Sequence, residues 1–243
     1  MPKDEIYRAG AVAERPFEFN ETVAAVFPDM LQRSIPGYAA SIEAIGQLAS
    51  RFVSADTQCY DLGCSLGAAT MAMRQNIVNK GCRIIAVDNA EAMVERFKRI
   101  LADDRGNPDV DVSVLQSDIR HIDISGASMV VLNYTLQFLP VAERLAMLQK
   151  IADGMIDGGV LILSEKIVDE DPLIEQMLVD LHHQFKRRNA YSDLEISRKR
   201  AALENVLVPE TLRAHLERLR NAGFRHAGPW LRYFNFVSIL AIR

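Results

Sequence analysis

Short apolar runs alternate with segments of helical apolar spacing through most of the chain. The apolar runs lie at 57–62, 82–87, 110–115, 129–132 and 160–163. Helical patterns lie between most of them, at 68–79, 91–101 and 142–155. Strands that alternate with helices and carry continuous Val, Ile and Leu predict a parallel sheet covered on both faces.

Both ends of the chain depart from this alternation. Residues 1–52 precede the first strand and are predicted to be a helical segment, with apolar spacing clearest after the turn signal at 35–37. The apolar runs 230–234 and 236–242 have no helix between them and predict an antiparallel pair. A charged helical insert is expected at about 172–221. We therefore expect one domain, residues 1–243, with a mostly parallel seven-stranded sheet.

Composition narrows the classes of function. The chain has 243 residues, of which 49% are hydrophobic, and this is enough for one sizeable core. A net charge of −4 argues against nucleic acid as a direct partner. Neither the three cysteines nor the five histidines show metal-ligand spacing. No apolar stretch approaches the length of a membrane span, so a cytoplasmic protein without a metal or a membrane partner is expected.

The segment 60–67 reads Tyr-Asp-Leu-Gly-Cys-Ser-Leu-Gly, between the first strand and a helical pattern. Glycines at such a turn let the backbone pass close to a ligand, and the following helix offers free N–H groups. The spacing resembles the S-adenosylmethionine loop of class I methyltransferases, although a plain tight turn is the alternative. Cys64 invites a nucleophile hypothesis, but a small residue beside a ligand is favoured because no base lies near it in sequence.

Polar residues follow the next three strands, where ligands of open parallel sheets bind. Asp88 and Asn89 end the second strand, and Asp88, 21 residues after Gly67, can accept hydrogen bonds from ribose hydroxyls. Asp118 after the third strand can accept from an adenine amine. Asn133 after the fourth lies where a reacting group would face the cofactor. The alternatives are a helix cap at 88–89, an ordinary strand-end Asp and a turn-forming Asn.

The helical insert contains six Lys and Arg between residues 186 and 200, with Tyr191 among them. Three interpretations stay open. The segment can contact phosphates and stack on a base, or it is a solvated helix face, since Asp193 and Glu195 interleave with the cations. In the third, one Arg reaches into the pocket and binds a ligand carboxylate in bidentate fashion.

These segments resemble the carboxy-S-adenosyl-L-methionine synthases (the CmoA family) over nearly the whole chain. The residues that carry the resemblance are 26–30, 32–34, 36–38, 61–70, 128–133, 135–139, 163–166, 194–197 and 199–200. It implies a Rossmann-like class I methyltransferase fold. It also implies that S-adenosylmethionine and prephenate give carboxy-S-adenosylmethionine and phenylpyruvate. A partner enzyme would use the product to carboxymethylate the wobble uridine of certain tRNAs, and a homodimer is the family expectation.

The same resemblance implies site residues. The residues that would contact the cofactor are Tyr38, Gly63, Cys64, Ser65, Asp88, Asn89, Asp118, Ile119 and Asn133. Arg200 matches the family arginine that pairs with the extra carboxylate, so it separates this activity from ordinary methyl transfer. The competing hypotheses are a conventional methyltransferase acting on tRNA or a small molecule, and a non-catalytic binding module.

Overall fold

The computed structural model describes residues 2–8, 17–204 and 206–243. Its strands are β1 Gln58–Leu62, β2 Arg83–Asp88, β3 Asp111–Gln116, β4 Ala127–Asn133, β5 Met155–Val168, β6 Glu210–Thr211, β7 His226–Tyr233 and β8 Phe236–Ile242. Seven of them follow one another in the order β3-β2-β1-β4-β5-β8-β7, and the short β6 pairs with the end of β5.

Strand directions confirm the predicted sheet. The five strands β1 to β5 pair in parallel, whereas β8 is antiparallel to both β5 and β7. The chain order reverses between β1 and β4, because β3 lies at one edge and the chain then crosses to the other side of β1. A crevice at the carboxyl ends of β1 and β4 is the usual ligand site of such a sheet.

Eight helices are found in the described residues. They are α1 Glu21–Ser34, α2 Tyr38–Phe52, α3 Ala68–Asn76, α4 Glu91–Asp103, α5 Val141–Gly154, α6 Pro172–Arg188, α7 Asp193–Leu203 and α8 Leu212–Asn221. Helix α3 ends three residues before the predicted end at 79. Ile77 turns into extended backbone there and is buried, because its side chain packs in the core against α2.

The core lies on both faces of the sheet, as the continuous apolar strands predicted. On β4, Val130 and Leu132 pack towards α5 and α8, whereas Met129 and Val131 pack towards α2 and α3. Successive side chains of a strand point to opposite faces, so one strand serves both layers. Burial on both faces fixes the sheet edge from which the site residues project.

The N-terminal segment is less helical than predicted for residues 1–52. Residues 2–8 are irregular, and α1 begins only at Glu21, where the Asn20 side chain accepts a hydrogen bond from Val23 N. The part of the prediction that falls on 9–16 lies outside the described residues. Phe17 N donates to Ala202 O at 3.0 Å, so this segment packs against α7.

The insert predicted at about 172–221 consists of α6, α7, β6 and α8. Helix α6 begins behind Asp171, whose side chain accepts from two backbone N–H groups, and has Pro172 in its first turn. Helix α7 begins with a capping box between Ser192 and Glu195. Helix α8 packs with the sheet and α5, while α6 and α7 border the cavity described next. The single-domain organisation and the bounds of the insert stay predictions.

Candidate active site

A cavity of about 690 Å³ lies at the carboxyl ends of β1, β2, β4 and β5. All ten site residues predicted from the sequence line it: Tyr38, Gly63, Cys64, Ser65, Asp88, Asn89, Asp118, Ile119, Asn133 and Arg200. Its size falls within the roughly 300–1,000 Å³ of small-molecule sites. The structure brings these residues together, while the binding role of each stays a prediction.

The glycines of the β1–α3 loop are required by the protein itself. Gly63 and Gly67 have φ of +83° and +81°, a region that favours glycine. A Cβ on Gly63 would lie 2.3 Å from Thr135 Oγ1, and one on Gly67 would lie 2.0 Å from a carbon of the Phe97 ring. Neighbouring side chains thus require glycine at both positions, while the close approach of a ligand to this backbone stays a prediction.

Two carboxylates stabilise this loop by accepting hydrogen bonds from it and from the helix that follows. Asp61 is buried, and its Oδ2 accepts from Thr70 N at 2.9 Å and from Thr70 Oγ1 at 2.6 Å. Asp88 Oδ2 accepts from Ser65 N at 2.8 Å, and its Oδ1 accepts from Ala90 N at 2.9 Å. Burial raises the pKa of Asp61 to about 6 and also raises the pKa of Asp88.

Asp88 makes a local turn contact and also lines the cavity, so ribose binding stays a prediction. Its bond to Ala90 N, the residue that precedes α4, is the local turn of a helix start. The same carboxylate lines the cavity, and each carboxylate oxygen can accept more than one hydrogen bond. It can thus order the loop and still accept from a ribose hydroxyl.

Cys64 has the properties of a buried structural thiol. Burial and the neighbouring carboxylates Asp61 and Asp88 raise its pKa well above the ordinary value. A thiolate is the reactive form of cysteine, and this environment disfavours it. The geometry supports a small residue beside a ligand, which was the interpretation favoured from the sequence.

Asp118 already has a cationic partner in the structure. The Arg120 guanidinium donates to both of its carboxylate oxygens and also pairs with Glu143 at 2.5 Å. These bonds lower the pKa of Asp118, which is therefore ionised and held in one orientation at the cavity wall. Ile119 is buried next to it and packs in the core under the sheet. An acceptor and an apolar surface thus lie together.

Asn133 presents an unsatisfied atom to the cavity. Its Oδ1 is buried and has no hydrogen-bond partner among the described residues. The next residue, Tyr134, has φ of +62°, and its N–H donates to Ser164 O, so the chain turns sharply at the end of β4. Buried polar atoms are normally paired, which makes Asn133 Oδ1 a site for a ligand donor.

Arg200 lies on α7 with an exposed side chain that lines the same cavity. No hydrogen bond or ion pair of the described residues involves its guanidinium. Several other charged residues of this side of the cavity were not singled out from the sequence: Lys166, Glu175, His182, His183, Lys186 and Lys199.

Helical phase was the signal that could have separated the buried lysines from the exposed arginines. Lys186 follows the buried His182 by four residues, and Lys199 follows the buried Ile196 by three. Residues three and four apart share one face of a helix, so both lysines lie on buried faces. The neighbouring Arg187 and Arg188 point to solvent instead.

Comparisons with known proteins bear on this site. The profile of a family described as a methyltransferase domain matches residues 60–159. A carboxy-S-adenosyl-L-methionine synthase of Trichlorobacter lovleyi is 52% identical over 240 residues, covering 99% of this chain and 98% of the relative. One from Vibrio vulnificus (strain CMCP6) is 53% identical, covering 99% of this chain and 97% of the relative.

The chain belongs to the carboxy-S-adenosyl-L-methionine synthase family. It is therefore a transferase with a class I methyltransferase fold, as the sequence resemblance implied. A putative S-adenosyl-L-methionine-dependent methyltransferase of Methanococcus maripaludis shares the fold at a TM-score of 0.60 and 19% identity, covering 96% of this chain and 97% of that one. The structure of human N-acetylserotonin methyltransferase in complex with SAM shares the fold at a TM-score of 0.61 and 17% identity, covering 92% of this chain and 55% of that one.

The described residues fit S-adenosylmethionine, which this family implies. The ordered loop at 63–65, the carboxylate of Asp88 and the unpartnered Asn133 Oδ1 provide acceptors and backbone contacts around one cavity. In the described part of the chain, no three His, Cys, Asp or Glu side chains are placed to hold a metal ion. No helix among the same residues has the length and apolar character to span a membrane.

Proposed function

We propose that the protein converts S-adenosylmethionine and prephenate into carboxy-S-adenosylmethionine and phenylpyruvate. The observation that carries the proposal is Arg200, a guanidinium without a partner among the described residues, in the cavity that also holds Asp88 and Asn133. The S-methyl group of S-adenosylmethionine carries no carboxylate, so methyl transfer alone would give this arginine no carboxylate to bind at the reacting carbon. A guanidinium matches a carboxylate in a bidentate geometry, which favours the carboxylated product.

The overall reaction balances without a further reagent. Prephenate loses carbon dioxide and its ring hydroxide, and phenylpyruvate remains. The methyl carbon loses a proton to that hydroxide, forming water, and a new carbon–carbon bond joins it to the carbon dioxide. The positive sulfur of bound S-adenosylmethionine makes the adjacent methyl protons more acidic.

The protein residues hold and shield the reactants. Asp88 and Asn133 supply acceptors on the sheet side, while Arg200 on α7 closes the site from the insert side. Phe19 and Phe138 meet edge to face at 5.5 Å between ring centroids and line the same cavity. An apolar wall restricts water and keeps carbon dioxide close to the carbon that it joins.

The wider role rests on the family resemblance. In this proposal the product serves a partner enzyme that carboxymethylates wobble uridine in tRNA, in the cytoplasm, and this protein does not itself bind nucleic acid. The net charge of −4 supports the last point. A homodimer is also proposed, and it is supported by an exposed apolar stripe of Leu173, Met177 and Leu181 on α6.

The first test is turnover with defined substrates. Purified protein mixed with S-adenosylmethionine and prephenate is expected to give phenylpyruvate and a cofactor heavier by one carbon dioxide, both followed by mass spectrometry. If phenylpyruvate does not form and a methylated small molecule or tRNA accumulates instead, the protein is a conventional methyltransferase and the proposal is wrong.

Arg200→Ala tests the residue that separates the two activities. Loss of a charge-assisted pair costs about 1.5–3 kcal/mol, so we expect carboxy-S-adenosylmethionine to bind at least about tenfold more weakly. Binding of S-adenosylmethionine is expected to change by less than about threefold, because the S-methyl group of that ligand carries no carboxylate. Calorimetric titration with each ligand measures the difference.

Arg188→Ala is the matched control, since Arg188 is an exposed arginine of α6 outside the cavity. Its affinities for both ligands are expected to equal those of the wild type. Equal losses for the two ligands in Arg200→Ala would remove the role assigned to Arg200.

A further inference from the structure

A group of charged side chains lies on the side of the cavity away from the ribose and adenine residues. Lys166 comes from β5, Glu175, His183 and Lys186 come from α6, and Arg200 comes from α7. In the sheet, β1 and β4 separate β5 from β2, and β2 separates β3 from β1. The group is therefore remote from Asp88 and Asp118.

Lys186 is the most buried cation of this group. Its side chain is only 9% exposed, yet its ammonium has no hydrogen bond or ion pair with any described residue. The neighbouring Lys199 differs, since it donates to Ser34 Oγ at 3.1 Å and lies 3.8 Å from Asp4 Oδ2. An ammonium on a largely buried residue is disfavoured without an anionic partner, so its position on the cavity wall indicates an anionic ligand.

The charge of the group indicates an anionic ligand. Lys166, Lys186 and Arg200 are three cations, and the carboxylates that line this side are Glu175 on α6 and Glu204 at the end of α7. Glu175 is partly engaged already, because it accepts from Asp169 N at 2.8 Å. With both lysines protonated, the three cations outnumber the two carboxylates, which favours binding of a carboxylate ligand.

We propose that Lys186, with Lys166, binds the carboxylate that the dicarboxylic co-substrate retains, while Arg200 holds the carboxylate that is transferred. This inference rests on the proposed function, because it assumes that a dicarboxylate is the second substrate. It divides the cavity into a cofactor half on β1 to β4 and a co-substrate half on β5, α6 and α7. The two carboxylates are then bound by different elements.

The protonation of Lys186 gives the proposal a second observable. Burial and the nearby cations Lys199 and Lys166 lower its pKa to about 7, against a partial opposing effect of Asp4. The other charged or titratable groups close to it are His182 and His183 on its own helix and Arg200 across the cavity. A carboxylate bound beside Lys186 raises this pKa again, so binding at pH 8 is accompanied by proton uptake.

The central test is Lys186→Met, which removes the charge and keeps a side chain of similar length. Prephenate is titrated calorimetrically in the presence of S-adenosylhomocysteine, which has no methyl group to carboxylate. We expect prephenate to bind about tenfold or more weakly to the variant, with S-adenosylhomocysteine affinity changed less than about threefold. Lys186→Arg is expected to restore most of the affinity for prephenate.

The dependence of the binding enthalpy on the buffer distinguishes a role of the Lys186 charge from a merely structural role of this residue. At pH 8 the binding enthalpy of prephenate to the wild type is expected to vary with the ionisation enthalpy of the buffer, and Lys186→Met is expected to lose most of that variation. Lys98→Met serves as the control, since Lys98 is an exposed residue of α4 paired with Glu95. If the central variant does not fold, Lys166→Met is measured in the same way.

Each outcome decides between the two proposals. Unchanged prephenate affinity in Lys186→Met, or an equal loss for prephenate and S-adenosylhomocysteine, overturns the assignment of Lys186. An equal loss for both ligands would mean that this group of charged side chains binds the amino-acid carboxylate of the cofactor instead. Failure of the proposed function is seen separately, in the wild type, as absence of phenylpyruvate in the turnover assay.

Discussion

At the scale of a single residue, Asp61 connects the end of β1 to the first turn of α3. It is almost fully buried, and its carboxylate accepts two hydrogen bonds from Thr70. Desolvation outweighs these bonds and raises its pKa to about 6, whereas the unfolded value is about 3.9. The side chain that shapes the loop is therefore more easily protonated in the folded protein.

This pKa shift predicts a pH-dependent contribution to stability. The folded state binds the Asp61 proton more tightly between about pH 4 and 6, so the contribution is complete below pH 4 and is lost as pH rises through 6. Two pKa units correspond to about 2.7 kcal/mol. Urea unfolding of the wild type and Asp61→Asn at pH 4.5 and 7.5 measures it.

The expected result is that the wild type loses stability relative to Asp61→Asn by about 2 kcal/mol between these two pH values. Asp109→Asn, which changes an exposed aspartate, is the matched control and should follow the wild type at both. A difference between the wild type and Asp61→Asn that is constant with pH would show that Asp61 ionises normally.

At the scale of elements, the N-terminal segment fixes the position of α7. Asp4 is buried, and its carboxylate accepts a short hydrogen bond from Tyr191 Oη and lies 3.8 Å from Lys199 Nζ. Arg33 of α1 donates to Asp4 O at 3.0 Å and stacks over the Tyr191 ring at 3.9 Å. The helix that carries Arg200 is thus held from the far end of the chain.

Asp4→Ala is expected to loosen α7 without affecting the sheet. The change leaves the buried Lys199 without its carboxylate and Tyr191 without its acceptor, at a cost of about 1–3 kcal/mol. Amide hydrogen exchange over residues 193–203 should accelerate by about tenfold, while exchange in β4 stays as in the wild type. Asp109→Ala is the control. If amide exchange in α7 of Asp4→Ala equals that of the wild type, the N-terminal segment does not stabilise α7.

Features that depend on neighbouring residues in the sequence could be predicted, whereas contacts between residues far apart in the sequence could not. The strands were predictable because continuous apolar runs at 129–132 and 160–163 report burial on both sheet faces locally. The contact of Asp4 with Tyr191 joins residues 187 positions apart, and no local pattern encodes it.

The residues of the candidate site also fall into a predictable and an unpredictable group. The loop glycines and Asp88 follow the strand ends in sequence, so their place at the sheet edge could be predicted from the alternation of elements. Lys166 and Lys186 lie on separate elements, and their common place on the cavity wall depends on how α6 packs over the sheet. Neither spacing nor composition fixes that packing.

At the scale of the whole molecule, one surface is more apolar than a solvated helix face needs to be. Leu173 is 70% exposed, Met177 52% and Leu181 37%, and the spacing of four residues aligns them along α6. Leu194 adds a further exposed apolar residue at the start of α7. Such patches mark interaction surfaces, and this one supports the proposed homodimer.

The proposed dimer predicts a solution mass of about twice 27.2 kDa by light scattering. Placing glutamate at both Met177 and Leu181 buries charge in the interface and should give the monomer, with the secondary structure unchanged. Val78→Glu is the control, since Val78 is 75% exposed on another surface. A wild-type mass near that of one chain would rule out a stable dimer.

The bond from Ser65 N to the Asp88 carboxylate has a consequence for binding kinetics. Ser65 has φ of +49°, a backbone conformation that non-glycine residues seldom adopt unless their surroundings impose it. That conformation is reached when the chain folds, so an incoming ligand has less backbone freedom left to remove. We therefore expect ligand association to proceed without a slow ordering step in this loop.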